Sequence, residues 1–463
     1  MPSILGANSV SGDLITNSLC FNSADSPELT KTFGSAGGDT WSYSCWLKRG
    51  DISEQGHGLL LDRDNNAGLY FLSTGALVIN DDGASAHTST QLFRDVAAWY
   101  HILFTGNGTT NKVYVNSFQV TFDNGTPNIG NINSNISHSI SKSPAGVGHM
   151  DGYLADIHFV DGTEKSPTDF AELNDNGVWV PKKYTGSYGT NGFHLEFKQT
   201  GTSANAAGIG ADTSGNGNHF TVSNLAATDI GIDTPQNNYC TINSVYADDG
   251  NNMIGADFTE GNRKQLTTVD GWKFGRGTFL LEAGKWYVEV KATEAGSGEN
   301  GRFGLQPSQG GEALGNTDDN DTFEGINVGF AGSDTNLQKL DTGSGSTIFS
   351  DFSSGSIAQL AFDLDNDKVW IGRNGTWYNN NNASSTLDAS NHDIALPSVD
   401  LGWVFGLGMT RNGSNNITFE YNWGNPSFAI SSGNSDADGH GNFEYAVPSG
   451  FFAVNSKNLA EYG

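Results

Sequence analysis

The chain has 463 residues, of which 61 are glycine, 11% are aromatic and only 16% are charged, against roughly 25% charged in an average soluble domain. That length exceeds what one hydrophobic core usually serves, and the shortage of Glu, Lys and Arg excludes an architecture of long surface helices, leaving short strands joined by loops. Asp and Glu number 51 against 23 Lys and Arg, a formal charge of -28 that repels phosphate backbones and anionic lipids and so argues against nucleic acid and membrane insertion.

The first residues, Met1, Pro2, Ser3 and Ile4, open a segment with no basic residue and no sustained apolar run, so no secretory signal is expected there. Cys20, Cys45 and Cys240 are too few and odd in number for a stapled scaffold and are expected as free thiols. Trp41, Tyr43, Cys45 and Leu47 alternate with Ser42, Ser44 and Lys48, the pattern of a half-buried strand, while Trp46 breaks the alternation and calls for a loop to cover it. Further strands are predicted at 58–61, 68–72, 76–79, 99–104, 112–115 and 153–160, separated by turn residues such as Asn107-Gly108.

Between 163 and 264 the alternation weakens. Ser166-Pro167-Thr168-Asp169 reads as a helix start of a turn or two, Phe193, Leu195 and Phe197 mark a strand, and residues 201–218 are the best linker candidate. A second set of strands runs over 275–423, with Trp286, Val288, Val290 and Ala292 on one face, and tight turns at Asp365-Asn366-Asp367 and Asn374-Gly375. The expected fold is therefore all-β: two β-sandwich (jelly-roll) domains at 1–162 and 265–424, joined by an irregular connector over 163–264 and followed by a tail over 425–463.

Three clusters in the first domain, Trp41 to Leu47, Trp99-Tyr100-His101-Ile102 with Val113-Tyr114-Val115-Asn116, and Met150-Asp151-Gly152-Tyr153-Leu154-Ala155-Asp156-Ile157, resemble the concanavalin-A-like, laminin-G-like jelly-roll family. Ser117 and Ala155 depart from its pattern. The second domain, with Gly284-Lys285-Trp286-Tyr287-Val288-Glu289-Val290 and the closing Asn422-Trp423-Gly424, is similar to the SPRY domain. Segments such as Gly177-Val178-Trp179-Val180-Pro181 and Asp212-Thr213-Ser214-Gly215-Asn216-Gly217-Asn218 resemble tailed-phage virion proteins. What these resemblances imply is a virion surface protein assembled in the host cytoplasm (tail fibre, head fibre or capsid decoration), whose partners are other virion proteins or a host-surface glycan, and a homo-oligomer, trimeric by analogy.

Sugar hydrolases on concanavalin-like sandwiches need two carboxylates on one strand face, and no Glu-x-Asp-x-x-Glu run occurs; Glu289 and Glu294, five apart, are expected on opposite faces. A non-catalytic binder is thus the expectation and a polysaccharide depolymerase the alternative. Trp377 and Tyr378, just after the Asn374-Gly375 turn, are the candidate sugar platform, with core packing of Trp377 as the competing reading; Asp318, Asp319, Asn320 and Asp321 form the most acidic loop of the second domain, a candidate for ligand contact or for holding a cation beside the ligand. No cofactor is required. Calcium is the metal considered: Asp62 and Asp64 imitate the start of an EF-hand loop, although turn formation explains that run better, and Asp151 and Asp156 inherit the suggestion from the jelly-roll resemblance.

Overall fold

The computed structural model describes residues 14–35, 37–52, 57–62, 67–81, 85–129, 132–142, 148–245, 256–267, 270–295, 299–308, 324–331, 334–340, 346–350, 352–379, 382–388, 390–411 and 416–463. The chain is all-β and divides into two compact units. Of the described residues, one contains 14–238 together with Thr259–Gly261, and the other contains those of Tyr239–Phe258 and Asn262–Gly463. The connector expected at 163–264 therefore does not exist as a separate element, because its larger part completes the first sandwich.

In the first unit, one sheet carries the strands Phe118–Gln119, Asn111–Val115, Trp99–Asn107, Thr40–Arg49, Gly152–Asp161, Ser18–Phe21 and Ile230–Gly231 in that spatial order, with Phe193–Leu195 also paired to Gly152–Asp161. The opposing sheet runs Thr221–Ser223, Glu28–Thr32, Ser137–Ser141, His57–Asp62, Gly68–Phe71, Ala76–Asp81 and Ser85–Leu92. Between them lies one apolar core with Trp41, Tyr43, Leu47, Phe104, Ile157 and Phe159.

The strand Thr40–Arg49 departs from the half-buried expectation, for all but its first residue are buried. Its Ser42, Ser44, Trp46 and Lys48 face away from the sandwich core, and residues of the presumed connector cover them. Trp46, Trp99, Tyr153 and Ala171 pack together there, as do Leu103, Val160 and Phe170, with Trp179, Tyr184 and Tyr188 half-buried over them. The helix start at Ser166 yields a single 3₁₀ turn, Pro167–Asp169, in which the Asp169 carboxylate accepts from the Ser166 N–H at 2.8 Å.

Residues 201–218 are not a linker. Asp212 organises them by accepting from the backbone N–H groups of His194 (2.9 Å), Ser214 (2.8 Å) and Asn218 (2.7 Å), which turns a Gly- and Asn-rich stretch into a fixed loop against the first sandwich.

The second unit has one sheet ordered Lys264–Thr267, Ile417–Asn422, Lys285–Ala295, Ile357–Asp363, Lys368–Arg373 and Thr376–Trp377, and another ordered Gly271–Leu281, Trp403–Arg411, Glu299–Pro307, Glu324–Ala331, Asp334–Leu340 and Ser346–Ser350. Trp286, Val288, Val290, Phe362, Phe405 and Trp423 fill its core. The expected tail belongs to this unit: Phe452–Ala453 pairs in parallel with Lys285–Ala295, and the α-helix Ser456–Tyr462 is capped by Asn455, whose side-chain oxygen accepts from the N–H groups of Lys457 (3.1 Å) and Asn458 (3.0 Å). The three cysteines are buried and none forms a disulfide. Among the described residues no helix is long and apolar enough to cross a membrane.

Candidate functional site

Two places on the first unit combine reach for solvent with concentrated polar chemistry. The first grows out of a β-bulge. Along the pairing of Gly152–Asp161 with Thr40–Arg49, Ala155 sits opposite Trp46 and His158 opposite Ser44, so three steps on one strand match two on the other. The extra residue is accommodated by Asp156, whose φ of 49° lies in the left-handed region that Asp enters more readily than most side chains. Before the bulge Tyr153 and Ala155 point away from the sandwich core; after it His158 and Val160 do.

On the neighbouring strand Phe193–Leu195, His194 stands directly opposite His158. The two imidazoles stack with centroids 4.1 Å apart and planes 10° from parallel. Both aim Nε2 at one carboxylate: His158 Nε2 lies 3.0 Å from Asp156 Oδ2, and His194 Nε2 lies 2.7 Å from Asp156 Oδ1. The far nitrogens are held too, His158 Nδ1 by the Tyr188 hydroxyl at 2.8 Å and His194 Nδ1 by the Thr213 hydroxyl at 3.0 Å. Asp156 and His194 each keep 17% of their side-chain surface exposed, whereas His158 keeps 4%, so the cluster opens to solvent at one edge.

Burial alone would raise the Asp156 carboxyl, but the charge and hydrogen bond of His158, joined by those of His194, outweigh it and hold the acid well below the usual carboxylate range. Burial pushes His158 below the ordinary histidine value, partly countered by the Asp156 carboxylate. Next to it His101 is driven down to about 3, first by burial and then by His158. Its Nδ1 accepts from the Trp179 indole at 3.3 Å and its Nε2 meets the Ser44 hydroxyl at 2.9 Å, the pattern of a neutral ring.

The second place is a groove of about 350 Å³ on the outer side of the other sheet, lined by Thr30, Lys31, Thr32, Ser137, Ala204, Gly217, His219 and Thr221. Thr32 pairs with Ser137 and Thr30 with Thr221, so strand register sets four hydroxyl-bearing residues on one face. His219 Nδ1 accepts from the Asp212 N–H at 3.0 Å, which leaves the proton on Nε2 as a donor. Among the described residues no carboxylate lines this groove.

The residues singled out from sequence fare differently. Trp377 is buried, 3% exposed, and packs edge-on to Tyr287 with centroids 6.2 Å apart, so it is core and offers no ring face to a sugar. Tyr378 is half-buried beside Phe349, at 6.0 Å between centroids. Asp318, Asp319, Asn320, Asp321 and Asp64 lie outside the described residues. Asp62 is fully buried, and Asp151 is buried with its carboxylate accepting from the Asp51 N–H at 2.9 Å. Among the described residues the sole cluster of three or more metal-ligating side chains is Asp156, His158 and His194, so the fold does not gather Asp62, Asp151 and Asp156. Calcium takes six to eight oxygen ligands. A single carboxylate flanked by two imidazoles does not fit it.

The carboxylates of the second unit also differ from expectation. Glu289 pairs with Asn422, Lys291 with Glu420 and, after a bulge, Glu294 with Thr418, which puts Glu289 and Glu294 on the same face. That face is no open cleft: Glu289 is fully buried and Glu420 is 6% exposed. Glu289 accepts from Tyr287 Oη (3.0 Å), Asn422 Nδ2 (3.2 Å) and the N–H groups of Glu444 (3.0 Å) and Tyr445 (2.8 Å). It is a structural hub joining the sheet to the tail.

Residues 22–168 match the family model of the Concanavalin A-like lectin/glucanases superfamily. No curated protein matches the chain. Among solved structures it is similar to a heptameric SAP-like pentraxin from Limulus polyphemus (16% identity, 34% of this chain and 80% of that chain, TM-score 0.27). It is also similar to the SPRY domain of human HERC1 (13% identity, 34% and 87%, TM-score 0.22) and to the TRIM65 PSpry domain (9% identity, 40% and 91%, TM-score 0.27).

Proposed function

We propose that this chain is a non-catalytic adhesion or decoration protein of a phage particle, and that the groove on its first sandwich holds a host-surface glycan. The observation that carries the binding half is the groove's chemistry. Hydroxyls of Thr30, Thr32, Ser137 and Thr221 with the donors of Lys31 and His219 suit the alternating donors and acceptors of a sugar. Hydrolysis of a glycosidic bond needs an acid and a second carboxylate flanking it, which the described residues lining this groove do not provide. The concanavalin-like match over residues 22–168 is compatible with either binding or cleavage, so the weight rests on the lining. The virion half is supported by the resemblance of segments such as 177–181 and 212–218 to tailed-phage proteins, and other virion proteins are the competing occupants of the same groove.

The test is retention on immobilised host envelope polysaccharide, comparing wild type with Lys31→Ala and Thr221→Trp, the latter placing a bulky ring on an exposed edge position. Retention that falls at least tenfold in both variants, with unchanged circular dichroism, supports the groove. Retention unchanged in both overturns it, and no retention of wild type shifts the reading to a virion-protein contact.

A further inference from the structure

The Asp156 cluster lies on the opposite sheet from the groove and is not absorbed by glycan binding. Its three ligating atoms, one from each of Asp156, His158 and His194, lie within 4.8 Å of one another, and the donor set is two imidazole nitrogens and one carboxylate. We propose that Asp156, His158 and His194 form a binding site for a divalent transition metal of the zinc type, in place of the calcium that the jelly-roll resemblance implies.

Zinc takes imidazole nitrogen and carboxylate oxygen at about 2.0–2.2 Å, which sets neighbouring ligands roughly 3.3 Å apart in a tetrahedron. The Nε2–carboxylate separations of 3.0 and 2.7 Å are already close to that. A ligating histidine ordinarily donates its other ring N–H to an oxygen, and both rings have one waiting. For His158 it is the Tyr188 hydroxyl. For His194 it is the Thr213 hydroxyl, which also lies 3.3 Å from the His194 carbonyl oxygen and so accepts from the ring while donating to the backbone.

The cluster is also complete without the ion. Each Nε2 is then hydrogen-bonded to the Asp156 carboxylate and each Nδ1 to a hydroxyl. Metal bound at Nε2 leaves a ring proton on Nδ1, where the hydroxyl oxygen accepts it. The exposed edge of Asp156 and His194 is the route of entry and leaves the fourth position to water. Since His194 belongs to the strand Phe193–Leu195 and the other two ligands to Gly152–Asp161, the ion ties the covering segment to the sheet.

The experiment uses the full chain, stripped with a chelator, titrated calorimetrically with Zn²⁺ and separately with Ca²⁺, with bound metal quantified by elemental analysis. One Zn²⁺ per chain is expected, with a rise in melting temperature and no matching response to Ca²⁺. His194→Ala, at the partly exposed edge of the cluster, is expected to abolish that equivalent, and Thr213→Val to weaken it about tenfold. Nitrogen-15 spectra of the two rings are expected to show the metal on Nε2 and the proton on Nδ1. Zinc uptake that is absent, that survives His194→Ala in a folded protein, or that is replaced by calcium uptake would overturn the assignment.

Discussion

Lys48 and Asp233 form an ion pair at 2.7 Å with neither side chain exposed, on the outer face of the first sandwich's sheet. The Asp233 carboxylate also accepts from the Trp99 indole at 3.0 Å, and Lys48 donates to Asn238 Oδ1 at 2.7 Å. The pair thereby fastens residues 233–238 to the strand Thr40–Arg49. Removing one partner strands the other charge in a dry site. Asp233→Ala is expected to destabilise the first unit by about 3–5 kcal/mol, while the double replacement Lys48→Met with Asp233→Leu lies much nearer wild type. Hydrogen exchange of the Thr40–Arg49 amides reads the difference.

Trp377 tests core packing against ligand contact. Its N–H donates to Ser384 O at 2.6 Å, and its ring covers Gly372, where an added Cβ would come within 3.0 Å of it. Trp377→Ala is expected to cost about 3–5 kcal/mol in the second unit, as other large-to-small core changes do. Polysaccharide retention per folded molecule should stay at the wild-type level.

Acid should weaken the first unit through its histidines. His101, held at about 3 by burial, and His158, held below its usual value, are charged in the unfolded chain below about pH 6.5 but resist protonation in the fold. The unfolded state binds more protons in that window, so stability is full above it and falls as pH drops. For His101 alone the loss from pH 7 to 4.5 is about 2–3 kcal/mol, at about 1.4 kcal/mol per pH unit. The depressed Asp156 adds to the loss once pH falls below about 4. Hydrogen exchange of the Gly152–Asp161 amides at pH 7 and 4.5 measures this.

The second unit should respond in the opposite direction. Burial lifts Glu289 to about 7, against the pull of its four donors. Between the unfolded carboxyl's value near 4.3 and about 7, the folded state holds the extra proton, so stability falls as pH rises through that window, by up to about 4 kcal/mol. Glu289→Gln is expected to remove this slope, and to destabilise by about 1–3 kcal/mol at pH 8 because its amide N–H₂ faces groups that are themselves donors. Exchange at Lys285–Ala295 between pH 5 and 8, in wild type and variant, checks both statements.

Much of the strand pattern was legible, because alternation at Trp41 to Leu47 and Trp286 to Ala292 records a buried face directly. What alternation could not show was the second buried face of Thr40–Arg49: Ser42, Ser44 and Lys48 look solvent-facing until a segment more than a hundred residues later packs over them. The metal-ligating cluster was hidden for a related reason. Asp156 was visible, but a bulge changes which residues face outward after it, and His194 joins by long-range pairing that no local spacing encodes. The same kind of irregularity reversed the relation of Glu289 and Glu294. A short polar motif would have revealed the terminal helix, since Asn455-Ser456 precedes Leu459 as a cap precedes a helical turn.

Binding without cleavage is tested most directly by the chain length of the polysaccharide itself. Host envelope polysaccharide is incubated to equilibrium with the full chain, and its size distribution and reducing ends are followed over many hours while complex persists. The account predicts a retained complex, an unchanged distribution and no reducing ends above the protein-free control. Progressive shortening with wild type, abolished by substitution of a carboxylate, would contradict it and establish a hydrolase.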